Sequence, residues 1–399
     1  MSAVEHSEAR PQFRLFALAF RPFFLLAAIA AVVLILPWLL ILSGDIAPSL
    51  YFIPSLWHAH EMLFGFVAAV IGGFLLTAVQ AWTGIPGISG TRLGVLAIVW
   101  CLGRFAMLFP ASRAGWGAML IDLSFLPLVA LVLASFVIKA KQWRNAIFLP
   151  ILALFFLANL LMHLQALGYA NTANLGLTLG LWLTLLLIII LGGRVLPMFT
   201  SNGLGGVDTH TWKPIEIGSI LCFVLFVLAD LFTTGDLARW LALLCALLHG
   251  IRLYGWRPML TLETPLLWVL HIGYAWLVIA FLLFALGDLL LLPRSIAIHA
   301  FALGVVGNFV IGMMSRVALG HTGRPLVAAK LTAIAYGLVN LAVLFRVILP
   351  ALSDFSWLTL MVRNSLVSGS SNFFFIVVVC RGSKFQLALV SFVCCTQQT

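Results

Sequence analysis

Runs of about twenty apolar residues, broken by Gly, Pro and charge, recur along the whole chain, and that length is what one helix needs to cross the hydrocarbon of a bilayer. They fall near 16–43, 53–80, 93–110, 116–139, 146–168, 175–199, 214–232, 237–252, 265–287, 295–317, 327–350 and 356–393. Short connections make sequence neighbours antiparallel. The reading is an all-α, polytopic transmembrane helical bundle of about 12 spans. A segment over 1–15 precedes a helical domain over 16–355, and a last span with an atypical tail occupies 356–399.

Composition enters as a check on that reading. Of 399 residues 63% are hydrophobic and 9% charged, whereas roughly a quarter of a soluble domain is charged. The chain must be solvated by lipid. Its formal net charge of +10 lies in the breaks between apolar runs, so it reads as an orientation signal and excludes a nucleic-acid partner. With the amino terminus on the cytoplasmic side, fourteen Lys and Arg fall in inner segments and only Arg113, Arg239 and Arg294 in outer ones, as the positive-inside rule requires. Cys101, Cys222 and Cys245 lie inside apolar runs without CxxC spacing and read as small core residues. The first apolar run extends too far for a cleavable signal peptide.

Ionisable groups inside spans are the functional candidates. Arg104 in the third span and Asp122 in the fourth lie at matching depth and read as a pair, because an unpaired charge there costs a few kcal/mol. The histidines fall in two layers. His58, His60, His163 and His299 lie within one or two turns of the outer surface, while His249 and His271 lie near inner span ends and His210 and His321 in inner loops. Four imidazoles at one depth suit a metal site, and the alternative is four separate hydrogen-bonded residues.

His58 and Glu61, three apart, share a helix face, whereas His60 points to the other side. One helix would then serve two adjacent centres, such as an iron on one flank and a second metal or proton relay on the other; otherwise His58 begins the helix in the headgroup zone. His299 stands above Gly304 and Gly307, and His60 above Gly65, which leaves room for a flat macrocycle or for close helix packing. Asn159, four before His163, is a candidate partner fixing its tautomer. His271, Tyr274 and His249 form a second constellation near the inner side. Arg194 and Arg316, at inner span ends, suit cofactor propionates or anionic headgroups, or anchor the helix ends.

Several segments resemble the NnrS family: RPFFLLA at 21–27, WHAHEMLFGF at 57–66, WTG at 82–84, GGRVLPMFT at 192–200, WVLHIGYAW at 268–276, HAF at 299–301 and SRVALGHTGRPL at 315–326. The resemblance implies a bacterial inner-membrane protein with haem and copper that acts in nitric oxide metabolism. On it rests the expectation that His60 and His299 are haem axial ligands, with His271, Arg194 and Arg316 as further cofactor-binding residues. His58, Glu61 and His163 would surround a copper or an open position for nitric oxide, with Glu61 as the proton-relaying catalytic group. After about residue 360 the chain departs from the family's closing apolar helix and basic end. Three classes stay open: a quinol-linked oxidoreductase, a haem-based binding protein without turnover, and a twelve-span solute transporter, against which the absence of a long central loop counts.

The orientation has a direct check. Alkaline phosphatase fused after residue 113 should be active and the same fusion after residue 142 inactive; the reverse pattern would invert the topology.

Overall fold

The computed structural model describes residues 15–233 and 235–352 and two three-residue strands. Eleven long helices follow one another: α1 Phe20–Ser43, α2 Pro54–Thr83, α3 Gly90–Ala106, α4 Ala111–Lys139, α5 Phe148–Ala166, α6 Ala173–Gly203, α7 Lys213–Phe232, α8 Leu237–Gly255, α9 Pro265–Leu286, α10 Arg294–Gly320 and α11 Lys330–Leu352. Among the described residues ten helices are long and apolar enough to cross a membrane. α3, at 17 residues, is slightly shorter and packs alongside α4. The expected last span, 356–393, lies outside the described residues apart from Val379–Arg381 and Lys384–Gln386, which pair antiparallel where a helix is expected.

Local chemistry sets the helix ends. Pro54, Pro214 and Pro265 stand in first turns, where a missing N–H costs nothing. Gly44 and Gly84 close α1 and α2 in the left-handed region, at φ 81° and 68°, which a residue with a Cβ adopts reluctantly. Pro127 and Pro197 sit inside α4 and α6 and are tolerated because neighbouring helices cover the freed backbone groups.

Two helices are irregular in the same way. α2 widens to a π-helical stretch over Glu61–Val67, and α10 over Ala300–Gly307. Each stretch begins at the residue after a histidine, His60 in one and His299 in the other. π stretches are rare and concentrate at functional positions. We call the end of the bundle at which α2 and α10 begin the upper end. His58, His60, His163 and His299 all fall there, and His249 and His271 at the lower end, so the two histidine layers read from the sequence are present.

α6 packs against both irregular helices and against α5, α7 and α9. Where it meets α1, α2 and α10, the residues Phe24, Val67, Thr184, Leu191, Val306 and Phe309 face a slot of about 80 Å³. Helices approach closely elsewhere through glycine. At the α5–α6 crossing a Cβ on Gly176 would meet Met162 Cγ at 3.0 Å and Leu161 Cβ at 3.1 Å, and would run into the carbonyl of Ala158.

Because that carbonyl belongs to helix backbone, it cannot step aside. Gly176→Val should cost about 1–3 kcal/mol or more by overpacking, seen as a lower unfolding midpoint in detergent. A midpoint equal to the wild type would show that α5 and α6 do not cross at this glycine.

Candidate metal centre

At the upper end four helices, α2 to α5, and the loop before α2 converge on a buried polar cluster. Its centre is Asp122, eleven residues into α4. His60 Nε2 lies 3.3 Å and His163 Nε2 3.0 Å from the same oxygen, Oδ2. Ligand-type atoms of His60, Asp122 and His163 lie within 4.8 Å of one another, and all three residues are buried. The rings of His60 and His163 stand edge to face, 5.6 Å apart.

Each imidazole is held from behind. His60 Nδ1 is 3.0 Å from Glu61 Oε1. His163 Nδ1 is 3.2 Å from the hydroxyl of Tyr51, which is 3.4 Å from the carbonyl of Gly115. Burial pushes the Tyr51 phenol up to about 12, so it stays protonated. A partner on Nδ1 that turns Nε2 toward a shared point is the usual outer support of a metal-ligating histidine.

Arg104 closes the cluster, bonding Glu61 Oε1 at 2.9 Å and pairing with Asp122 Oδ1. Gly65 in the π stretch makes room for it, since a Cβ there would lie 2.7 Å from the Arg104 NH1. Asn159 donates from Nδ2 to Asp122 Oδ2 (2.7 Å) and turns Oδ1 to His60 Nε2 (2.9 Å). Two carboxylates and one guanidinium leave the cluster one negative charge in excess. His60 meets acceptors at both ring nitrogens, Glu61 on one side and Asn159 on the other. A neutral imidazole has one N–H, so a proton or a metal ion must satisfy the second. Glu61 Oε2 is also buried without a hydrogen-bond partner among the described residues. These are the marks of a pocket that fits a cation, and two imidazoles with a carboxylate suit copper, iron or zinc. Phe52 and Phe64 pack on His60 at 4.7 and 5.3 Å and keep water away.

The other upper histidines stand apart from this cluster. His58 stacks on Trp38 at 4.6 Å with planes 5° apart, close enough to His299 and Arg346 for their charges to interact, and its Nδ1 is buried without a hydrogen-bond partner among the described residues. His299 Nδ1 donates to the Ser295 carbonyl (2.6 Å), and Nε2 faces the Arg346 guanidinium at 3.3 Å.

This geometry corrects several expectations. Glu61 joins His60, not His58, because the backbone widens at Glu61 and the spacing rule of a regular helix fails there. Asn159 serves His60 and Asp122, not His163. His60 and His299 do not converge, since each Nε2 is directed elsewhere. The space below them is taken by side chains. Arg104 fills the gap at Gly65, and Trp276 comes within 2.8 Å of where a Gly304 Cβ would stand. The remaining slot of about 80 Å³ is far below the several hundred Å³ of a cofactor pocket. The residues as arranged do not fit a haem between His60 and His299. Arg194 and Arg316 stand far from that level: Arg316 lies about 25 Å down α10 from His299 by helix rise, and Arg194 lines the lower end with Arg144 and Arg252.

At the lower end Tyr274 donates to His249 Nδ1 (2.6 Å) and accepts from Arg252 (2.6 Å), and Arg252 forks onto Glu216 at 3.0 and 2.6 Å. His271, expected beside Tyr274, instead meets the Leu267 carbonyl at 3.0 Å and the Thr200 hydroxyl at 3.2 Å. Arg194 bonds Asn145 at 3.3 Å, and Arg316 lies over the ring of Phe199 at 3.8 Å. Asp122 was legible only as the partner of Arg104; its place level with His163 on the adjacent helix is the signal that marks it as a ligand.

The family model described as NnrS protein matches residues 14–380. The chain belongs to the NnrS family. No curated protein matches it. The matched stretch contains every residue of the upper cluster and runs past residue 360, where the departure from the family's closing pattern is expected. The NnrS family is associated with metal and haem binding, and the His60–Asp122–His163 group of this NnrS chain can hold a metal ion.

Removing Arg104 would leave Glu61 and Asp122 as buried, unbalanced charges. Arg104→Leu should destabilise the chain by about 3–5 kcal/mol in reversible denaturation, and adding Glu61→Gln should recover part of that loss. Additive losses would mean that the two side chains do not interact.

Proposed function

We propose that this chain is a copper-binding protein of a bacterial inner membrane, acting in nitric oxide metabolism or protection from nitrosative stress. His60, His163 and Asp122 hold the metal. The supporting observation is the convergence of two Nε2 atoms on Asp122 Oδ2, each ring supported at Nδ1. In the orientation set by the Lys and Arg distribution, the upper end faces the periplasm.

The chemistry follows from the surroundings of the site. Copper bound there would supply one-electron chemistry. Glu61 Oε1 accepts from His60 Nδ1 and fixes the tautomer that leaves Nε2 free for the metal. Glu61 is also the group able to take or release a proton beside the site, as Oε2 has no hydrogen-bond partner among the described residues. Arg104 balances the charge of Glu61 and Asp122 through its hydrogen bonds to both. Asn159 must release Nε2 when metal enters, while its bond to Asp122 keeps that carboxylate aimed. Nitric oxide suits such a place because it is small, uncharged and soluble in hydrocarbon, whereas a hydrated solute would find no path through Phe52 and Phe64.

Metal analysis tests the assignment. Purified protein should carry copper in proportion to chain, and His163→Ala and Asp122→Asn should each lose most of it while remaining monodisperse. Copper retained in both would remove the site. Nitric oxide consumption with a quinol donor separates turnover from binding: a quinol-dependent rate that falls in Glu61→Gln assigns an oxidoreductase, and stoichiometric uptake without turnover assigns a binding protein.

A further inference from the structure

At the lower end, opposite the metal centre, α6, α7, the α4–α5 and α6–α7 connections and the end of α8 line an open cleft of about 610 Å³. Its polar lining is Arg144, Arg194, Ser201, Thr209 and Thr211, with Glu216 and Arg252 as the floor. The floor is electrically closed, because Arg252 forks onto Glu216 at 3.0 and 2.6 Å. Gly193 permits this: a Cβ there would collide with the Arg252 guanidinium and come within 2.9 Å of Glu216 Oε2. The walls are not closed. Arg144 and Arg194 lie near enough for their like charges to interact, and no ion pair joins either to a carboxylate among the described residues. Arg194 has one neutral partner, Asn145 Oδ1 at 3.3 Å.

Two adjacent guanidiniums without a carboxylate between them, ringed by hydroxyls, form a receptor for a compact dianion or a phosphodiester. The rest of the lining chooses among such ligands. Ile147, Ile190, Pro197, Met198 and Ile220 complete the cleft, and Ile147 and Met198 stay about half exposed at its edge. An ionic ligand alone has no use for that apolar flank. A phosphate group carrying a hydrocarbon tail would use both parts.

We propose that this cleft binds the phosphate group of an amphiphile, with Arg144 and Arg194 gripping the phosphate and the Ser and Thr hydroxyls completing its hydrogen bonds. The site is independent of the copper assignment, since it shares no residue with the upper cluster and sits at the other end of the bundle. An anionic phospholipid is the source the lining favours, and a soluble phosphate ester presents the same headgroup chemistry without the tail.

The test is a binding measurement on the full chain in neutral detergent, by native mass spectrometry and by the shift of the unfolding midpoint. Phosphatidylglycerol, phosphatidylcholine, glycerol phosphate and inorganic phosphate are the probes. Phosphatidylglycerol should bind and raise the midpoint by several degrees. Arg144→Gln and Arg194→Gln should each weaken binding about tenfold, with Arg194→Lys falling between. Arg144 is exposed, so its variant should fold normally and remain informative even if Arg194→Gln does not express. Competition by glycerol phosphate or inorganic phosphate at comparable concentration would assign the site to soluble phosphates. Equal binding of phosphatidylcholine and phosphatidylglycerol, or undiminished binding of every phosphate probe in Arg144→Gln, would overturn the proposal.

Discussion

Arg104 sits nearly buried inside a helical bundle, and the upper half of the structure is arranged around making that tolerable. A guanidinium in a low-dielectric interior needs carboxylates at bonding distance, and it takes two: Glu61 from α2 and Asp122 from α4. Reaching both requires α2, α3 and α4 to be in one register. It also requires a residue without a side chain on α2 at its level, which Gly65 provides. With Asp122 fixed by Arg104 through Oδ1, its second oxygen is committed to the opposite side, toward α5 and the tip of α2. The geometry of the candidate metal site is therefore a by-product of charge burial. The carboxylate that neutralises the arginine is the one that gathers two imidazoles, and the excess negative charge left over is what a cation would cancel.

The two π stretches give α2 and α10 a common design with different contents. In both, a histidine stands immediately before the widened turn and a glycine follows five positions later. On α2 the room beside that glycine admits the Arg104 guanidinium, and the histidine above it enters the charged cluster. On α10 the equivalent room admits the indole of Trp276, whose Nε1 donates to Asn340 at 3.2 Å, and the histidine above it answers to a carbonyl and to Arg346. The same backbone device thus supports an acidic environment on one helix and a basic one on the other. His58 belongs with the second group although it lies two residues from His60, because neighbours two apart on a helix face opposite ways. One helix end serves two unlike environments, as the sequence spacing suggests, but the partners are exchanged relative to that reading.

What was legible follows from which signals are one-dimensional. Spans, their order and the layering of histidines depend on position along helices that rise at a constant rate, so eleven segments and both layers could be placed from hydropathy alone. The pairing of Arg104 with Asp122 was equally readable, since depth is position and the two helices are consecutive. Direction around the helix axis was not. Glu61 was assigned to the face of His58 by counting 100° per residue, and the widened turn that starts at Glu61 breaks the count. Asn159 and His163 share a stripe, yet the stripe meets α2 and α4 in such a way that Asn159 reaches His60 and Asp122 while His163 turns its other nitrogen to Tyr51. The glycines allow either room for a flat macrocycle or close packing. Gly65 and Gly304 mark places where something bulky comes near, and only the packing tells that it is an arginine and a tryptophan from this chain.

The two ends of the bundle handle buried charge in opposite senses, and that contrast carries functional weight. At the upper end the charges are buried beside Phe52 and Phe64 and sum to an excess of negative charge, with ligand-type atoms of His60, Asp122 and His163 within 4.8 Å of one another. At the lower end Arg252 and Glu216 cancel within the wall, and the uncancelled charges, Arg144 and Arg194, stand beside an open cleft with an excess of positive charge. A closed acidic pocket selects small cations and excludes water, whereas an open basic cleft selects larger anions that keep part of their hydration. α6 passes between these regions, touching α2 near the acidic site and carrying Arg194 into the basic one. The two sites share no residue, and α6 is the helix that packs on α2 at one end and carries Arg194 at the other, so a coupling between them through the packing would travel as movement of α6.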